Sequence, residues 1–214
     1  MEVVLLSYPR SGNTIHRYFL EYVLSIPSYG YVDVYVPGSK DHILESPILK
    51  TVIPSYAYKN NGIIKKIHGH FKDDFNISTN AHLILVVRNP FECLPRHGNM
   101  TDELYFDDID FFNRFSGEKT LLYYEDMLTV DSYWKDLCIR IGGDENQLMS
   151  FLSNLDVHKT NCKKFYGACE SDFTAAYHIK RLSCEQMSLM GTWIKTHQCH
   201  ITDRYKHYFP HNKQ

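Results

Sequence analysis

The sequence lacks the patterns that mark secreted, metal-binding and membrane-spanning proteins. Its six cysteines are scattered over 214 residues with no Cys-x-x-Cys pair, which favours free thiols in a reducing compartment. No basic stretch precedes the opening apolar run, and that run is far too short for a signal peptide or a membrane span. These features predict a soluble, cytoplasmic protein without a membrane partner.

The sequence also lacks a strong charge of either sign, internal repeats, low-complexity tracts and linkers. Its formal net charge is −2, which argues against broad binding to nucleic acid but leaves room for a local basic pocket. Apolar residues make up 43% of the chain, and its length fits one domain, so we predict a single domain over residues 1–214. Aromatic residues are frequent, with 16 tyrosines, which favours an aromatic-rich pocket or surface.

Short apolar runs alternate with stretches of helical periodicity. We predict strands at 2–7, 62–71, 81–89 and 119–124. Helices are predicted at 13–25, from 125 to about 142, at 145–154, and near 183–195 and 198–207. The segment 29–58, rich in Pro, Gly and Tyr, reads as irregular with room for one short helix. Strands that alternate with helices predict one α/β domain in which helices flank a central parallel sheet.

The segment "SYPRSGNT" (7–14) joins the first predicted strand to the first predicted helix. Gly12 lets a ligand approach the backbone closely, Ser11 and Thr14 supply hydroxyls, and Arg10 and the helix dipole both favour an anion. The Walker spacing is absent, so this is a P-loop-like turn of another kind. The alternative is a capped turn in which Asn13 or Ser11 serves as the N-cap.

Four segments, taken in order, resemble motifs of the sulfotransferases that use 3′-phosphoadenosine 5′-phosphosulfate (PAPS). "SYPRSGNT" is similar to the family's loop for the 5′-phosphosulfate, and "IIKKIH" (63–68) to the strand that carries its general base. "VVRNPFEC" (86–93) is similar to the motif for the 3′-phosphate, and "YYEDM" (123–127) to a segment that touches the nucleotide. The resemblance implies the P-loop-like α/β fold of that family, PAPS as co-substrate and adenosine 3′,5′-bisphosphate as product.

The resemblance also implies roles for the residues of these segments. Arg10 would stabilise charge on the 5′-phosphate and bridging oxygen, but as an arginine in place of the family's lysine it would not act as an acid. Arg88 would hold the 3′-phosphate, or it could instead cap a strand end through an ion pair. Tyr124 would border the adenine, or it could instead be packed in the core. The backbone amides of four loop residues would line the 5′-phosphate: Ser11, Gly12, Asn13 and Thr14.

His68 is the predicted general base, because an imidazole can accept an acceptor's proton near neutral pH. The match to the family's Lys-x-His pattern includes Lys66, which is assigned to the catalytic group with it. His70 shares the strand face of His68 and competes for the role, and a purely structural histidine is the alternative. The segments "HGH" and "HQCH" (197–200) do not complete a metal ligand set, so no metal is expected.

Three departures from the family pattern stand out. Ile15 replaces the family's adenine-stacking Trp, and Arg96 occupies the place of a Ser that contacts the 3′-phosphate, where it adds positive charge. The C-terminal Arg-Lys-Gly loop is missing, so residues 143–214 carry little of the resemblance. Lys180 and Arg181 are candidates for the lost contacts, or they form an ordinary solvated charge pair.

The acceptor is open, since the family acts on hydroxyl and amine groups of small molecules, sugars and peptides. The tyrosine-rich segment 29–58 either forms the lip of the acceptor pocket or is a surface loop held by aromatic packing. Two other functions compete with sulfuryl transfer. One is a nucleotide-binding protein of the same fold that has lost catalysis, and the other is a P-loop-like small-molecule kinase. Nothing in the sequence indicates an oligomeric state.

Overall fold

The computed structural model describes residues 1–26, 28–31, 43–45, 62–67, 77–97, 103–166, 181–197 and 199–208. Within these ranges the chain forms a six-stranded sheet of order β3-β2-β4-β1-β5-β6. The strands are β1 Glu2–Ser7, β2 Ser28–Tyr31, β3 Ile43–Glu45, β4 Ile63–Ile67, β5 His82–Val87 and β6 Lys119–Tyr123. All neighbouring pairs are parallel except β2–β3, which places one antiparallel strand at an edge. The predicted α/β sheet is confirmed.

The central strand β1 is apolar from Val3 to Leu6 because helices cover both faces of the sheet. Val3 and Leu5 belong to one hydrophobic cluster, whereas Val4 and Leu6 belong to the other. Alternate residues of a strand point to opposite faces, so a strand buried on both sides needs a continuous apolar run. The four strands predicted from the sequence are present, and for the second of them residues 68–71 lie outside the described part.

Helices form the two outer layers. They are α1 Asn13–Leu24, α2 Pro90–Cys93, α3 Glu103–Arg114, α4 Asp126–Thr129, α5 Tyr133–Arg140, α6 Glu145–Ser153, α7 Leu155–Tyr166 and α8 Cys184–His197. Two 3₁₀ segments, Leu94–His97 and His200–Tyr208, are also present. On one face α1 packs against α6 and α7 around Phe19, Trp134 and Phe151. On the other face α3, α8 and the last 3₁₀ segment enclose a second core with Phe106, Ile194 and Tyr205.

Two predictions about secondary structure are wrong in part. The single helix predicted from 125 to about 142 is two helices, because Val130 ends α4 in an extended conformation (φ −108°, ψ 112°). The segment 29–58 is not simply irregular, since β2 extends into it and it contains β3, while its other residues lie outside the described part.

The state of the cysteines and the character of the helices were also addressed from the sequence. The five cysteines in the described ranges, at positions 93, 138, 162, 184 and 199, are all free. Among the helices described, none is both long enough and apolar enough to cross a membrane.

Candidate functional site

The loop between β1 and α1 has the strand–turn–helix form that the sequence predicts. Arg10 (φ 70°) and Gly12 (φ 84°) are both in the left-handed region, and the Ser11 amide donates to the Tyr8 carbonyl at 3.1 Å. Gly12 is the N-cap of α1, so the alternative in which Ser11 or Asn13 caps the helix is wrong. A Cβ on Gly12 would lie 2.4 Å from Cδ2 of Tyr124, so this position needs glycine for its conformation and for its space.

This loop offers charge and backbone donors to an anion. The first amides of α1 have no acceptor within the helix, and Gly12 provides no side-chain cap for them. Arg10 is exposed and precedes the N-cap Gly12 by two residues. An exposed cation next to a helix N-terminus attracts negative charge, as the sequence of the loop indicates.

The hydroxyl of Ser11 faces inward. Ser11 is fully buried, and its Oγ has no hydrogen-bond partner among the described residues. The nearby thiol of Cys93 donates to the Arg88 carbonyl at 3.9 Å. Burial raises the pKa of Cys93 to about 12, while the charge of Arg88 opposes that shift. The thiol therefore keeps its proton at neutral pH. Because the Ser11 amide donates to the Tyr8 carbonyl, its contact with a 5′-phosphate stays a prediction. Thr14 is partly exposed, and its hydroxyl donates to Asn13 Oδ1 at 3.5 Å.

Arg88 lies directly beneath the loop. It follows β5, its side chain is fully buried, and its Nη1 donates to the Arg10 carbonyl at 3.0 Å. Its Nη2 is 3.8 Å from Oε2 of Glu92, which is the ion pair that the sequence analysis left open. The hydroxyl of Tyr105 donates to the Arg88 carbonyl at 2.8 Å. In the structure Arg88 therefore supports the left-handed turn at Arg10, and its contact with a 3′-phosphate stays a prediction.

Tyr124 completes this support. Its side chain is fully buried, and its ring lies close to Gly12 and under the guanidinium of Arg88. Its amide donates to the Val87 carbonyl at 2.8 Å, which fixes the end of β6 against β5. The ring is thus packed in the core under the loop, and its contact with adenine stays a prediction.

A network that the sequence analysis missed connects the C-terminal 3₁₀ segment to the end of β6. Oε1 of Glu125 accepts from the Asn89 amide at 2.8 Å, and its Oε2 accepts from the Tyr205 hydroxyl, also at 2.8 Å. Arg204 forms two hydrogen bonds to Asp126, at 2.7 and 3.1 Å. The signal in the sequence was the acidic pair 125–126 at a strand end, which calls for donors nearby. Arg204 and Tyr205 could not be identified as the partners, because they lie 78 and 80 residues away from Asp126 and Glu125 in the sequence.

The other predicted residues are placed less fully. Lys66 is 5% exposed on β4, where it is in register with Leu5 of β1. His68 and His70 lie outside the described residues, as does Lys180. The backbone at Arg96 belongs to the 3₁₀ segment after α2, but its side chain is not described. Arg181 opens the described range that precedes α8 and is exposed.

The strands of all four motif segments end on the same side of the sheet, where the carboxyl ends of its parallel strands lie. The strands that carry them are adjacent, in the order β4-β1-β5-β6. Leu6 is in register with Ile67, Ser7 with Val86, and Val87 with Tyr123, so their carboxyl ends lie at a similar level. Ligands of open parallel sheets bind beyond these ends. Fold and loop together define an α/β protein with a P-loop-like turn after its first strand.

No protein-family model and no curated protein matches the chain. Solved structures similar to it include the mouse sulfotransferase SULT7A1 complexed with PAP. That alignment has 15% identity and a TM-score of 0.35, and it covers 67% of this chain but only 59% of the mouse protein. Another is retinol dehydratase in complex with androsterone and inactive cofactor PAP. It has 15% identity and a TM-score of 0.49, with 93% of this chain and 81% of that chain covered.

Proposed function

We propose that the chain is a PAPS-dependent sulfotransferase, which moves a sulfuryl group from PAPS to a hydroxyl or amine acceptor. One observation carries the proposal: the strands of the four motif segments are neighbours in the sheet, and their carboxyl ends lie at a similar level. The four segments resemble motifs of one family and occur in the family's order. Their strands end where open parallel sheets bind nucleotides, at the carboxyl ends.

In this proposal the loop holds the 5′-phosphosulfate end of the nucleotide. The amides of the first turn of α1 and the guanidinium of Arg10 bind the 5′-phosphate and the bridging oxygen, where negative charge grows as the S–O bond breaks. Arg88 and Arg96 bind the 3′-phosphate. For Arg88 this requires that Nη2 exchange Glu92, which is 3.8 Å away and beyond hydrogen-bond distance, for a phosphate oxygen. Tyr124 borders the adenine.

The transfer is an in-line displacement at sulfur. The acceptor oxygen or nitrogen forms a bond to sulfur while the bond from sulfur to the bridging oxygen breaks, which releases adenosine 3′,5′-bisphosphate. The acceptor's proton passes to His68, which comes directly after β4 in the sequence, and Lys66 belongs to the same catalytic group. Like phosphoryl transfer, this reaction depends mainly on positioning and charge stabilisation.

The acceptor class stays broad in this proposal and includes small molecules, sugars and peptides. The segment 29–58 is the proposed lip of the acceptor pocket. In the sequence it lies between β4 and the loop that joins β1 to α1 (residues 8–12), which we call the anion loop. A cytoplasmic location and a reaction without metal belong to the same proposal.

The proposal is tested by calorimetric titration with adenosine 3′,5′-bisphosphate, AMP and magnesium-ATP. We expect the bisphosphate to bind at least about tenfold more tightly than AMP, a difference of about 1.4 kcal/mol. Turnover of PAPS with a panel of phenols, sugars, amines and tyrosine peptides follows. Equal affinities for the bisphosphate and AMP overturn the nucleotide assignment. Tight binding of magnesium-ATP alone indicates a kinase, and bisphosphate binding without turnover on any acceptor indicates a nucleotide-binding protein.

A further inference from the structure

His16 contacts the anion loop from within α1. Its side chain is fully buried, and its Nδ1 lies 2.7 Å from the carbonyl oxygen of Gly12. The backbone amide of His16 donates to the same oxygen at 3.3 Å. One residue therefore holds the N-cap carbonyl twice, and the shorter of the two contacts comes from the side chain.

The partners of the imidazole determine where its proton lies. A carbonyl oxygen can only accept, so Nδ1 must carry the hydrogen that it donates to Gly12. Nε2 of the neutral ring then accepts from the hydroxyl of Tyr133, which is 2.5 Å away. Burial lowers the pKa of His16 to about 4 and raises that of Tyr133 well above its usual value, so both groups hold these roles at neutral pH. The ring is further enclosed by Trp134, with 5.4 Å between the centroids.

The hydrogen bond from His16 to the Gly12 carbonyl also affects the amide of Asn13, which belongs to the same peptide group. The Gly12–Asn13 peptide is trans and planar, so the Gly12 carbonyl and the Asn13 amide point in opposite directions. The carbonyl points down the helix towards His16, and the Asn13 amide must therefore point out of the helix N-terminus. Gly12 tolerates several orientations of this peptide, because glycine is permissive on both sides of φ = 0. A second donor to the carbonyl removes that freedom.

We infer that His16 is a positioning residue of the anion seat: held by Tyr133, it fixes the Gly12 carbonyl and thereby aims the Asn13 amide at the 5′-phosphate. The inference rests on the proposed nucleotide binding at this loop. His16 lies on α1 and Tyr133 on α5, so their hydrogen bond connects the loop to α5. The direction of the Asn13 N–H then depends on the packing of α1 against α5.

The test uses three variants of the full chain. His16→Leu keeps approximate volume and removes both side-chain contacts, whereas His16→Asn keeps an N–H donor near the Nδ1 position. Tyr133→Phe keeps the ring and leaves the donor to Gly12 in place. The readouts are affinity for adenosine 3′,5′-bisphosphate and the shift of the Asn13 amide resonance when the bisphosphate is added. A nitrogen-15 spectrum of the imidazole reports which nitrogen carries the proton.

We expect His16→Leu to weaken bisphosphate binding about tenfold and to diminish the Asn13 shift, as the loss of one well-placed hydrogen bond predicts. His16→Asn should stay within about threefold of the wild type. Tyr133→Phe should have an effect between those of His16→Asn and His16→Leu, because the imidazole keeps its donor to Gly12 but loses the hydroxyl that holds it. A folded His16→Leu variant with wild-type affinity overturns the inference, as does an His16→Asn variant as weak as His16→Leu.

If His16→Leu does not fold, the imidazole spectrum decides, since a proton on Nε2 contradicts the proposed role. A wild-type protein without preference for the bisphosphate defeats the proposed function and the inference with it. Preference that survives in His16→Leu defeats the inference alone.

Discussion

The guanidinium of Arg88 lies over the ring of Tyr124, with 4.2 Å between Cζ and the ring centroid. The two residues follow neighbouring strands, and both lie under the anion loop. Arg88 donates to the carbonyl of Arg10, and Tyr124 fills the space next to Gly12. The loop therefore rests on a stacked cation–aromatic pair, and its geometry depends on both members.

Arg88→Lys should reduce affinity for adenosine 3′,5′-bisphosphate by about tenfold or more and affinity for AMP by less, because a lysine lacks the planar fork that holds a phosphate. Calorimetry with both nucleotides measures the difference. Lysine is the better substitution, since Arg88→Ala would remove the cation beside the buried Glu92 and cost about 3 kcal/mol of stability. Equal losses for the two nucleotides would limit Arg88 to support of the loop.

Gly12→Ala should destabilise the fold and weaken bisphosphate binding, because the new methyl group meets the buried ring of Tyr124. Gly142 offers a matched control, as its φ is 65° and an added Cβ there meets nothing within 4 Å. Gly142→Ala should cost about 1 kcal/mol for the left-handed conformation alone. Gly12→Ala should cost about 1–3 kcal/mol more, measured by urea unfolding. Similar costs for the two variants would contradict the close packing of Gly12 on Tyr124.

His68→Ala should lower turnover of PAPS by a factor of roughly 10² or more and leave bisphosphate affinity within a few-fold, as expected for a lost general base. His70→Ala is the matched control and should retain most activity. If the loss occurs in His70→Ala instead, the two histidines exchange roles.

Tyr205→Phe should lower the free energy of unfolding by about 2 kcal/mol, because it removes a buried donor to the Glu125 carboxylate. Bisphosphate binding should weaken as well, since the same carboxylate accepts from the amide of Asn89 next to Arg88. Tyr208→Phe, the same chemical change three residues later in the sequence, should stay within about 0.5 kcal/mol of the wild type. Equal unfolding midpoints for the two variants would remove the role of Tyr205.

Stability should fall as the pH is lowered from 6.5 to about 4. Burial lowers the pKa of His16 from 6.5 to about 4, so between these values the unfolded chain binds more protons than the folded one. His82 and His158, whose pKa values burial also lowers, act in the same direction. Urea unfolding of His16→Asn across this range should show a shallower pH dependence than the wild type. An unchanged slope would mean that His16 does not remain neutral in the folded state.

The parts of the fold that the sequence predicted are those governed by local physics. Val3–Leu6 and Leu83–Val87 are apolar runs that only a strand buried on both faces requires, and Pro9 and Gly12 mark the turn that follows β1. The break at Val130 carries neither Gly nor Pro, and its one local signal was Ser132, a residue type favoured at N-caps that caps α5 in the structure. The strand β2 covers only Ser28–Tyr31, and its pairing with β4 comes from the tertiary structure.

The same distinction applies to the candidate site. Gly12 could be placed in the turn after β1 because glycine suits a left-handed conformation, whereas the binding of an anion by Arg10 stays a prediction. By contrast, the roles of His16 and Tyr205 depend on Tyr133 and Glu125, which are distant in the sequence. A histidine on a helix and a tyrosine in a short 3₁₀ segment have many ordinary uses, and only the folded structure reveals their partners.

The position of β1 in the middle of the sheet has a consequence for how the protein is made. Val3 pairs with Ile64 on one side and with His82 on the other, so both partners are synthesised long after the strand itself. Until β4 and β5 leave the ribosome, an apolar segment with exposed edges has no native neighbour, which is the situation that chaperones recognise in nascent chains. Loop closure over about 60 and 80 residues also predicts slow folding for this topology. The anion loop, which begins where β1 ends, would then be among the last features of the molecule to take its final shape.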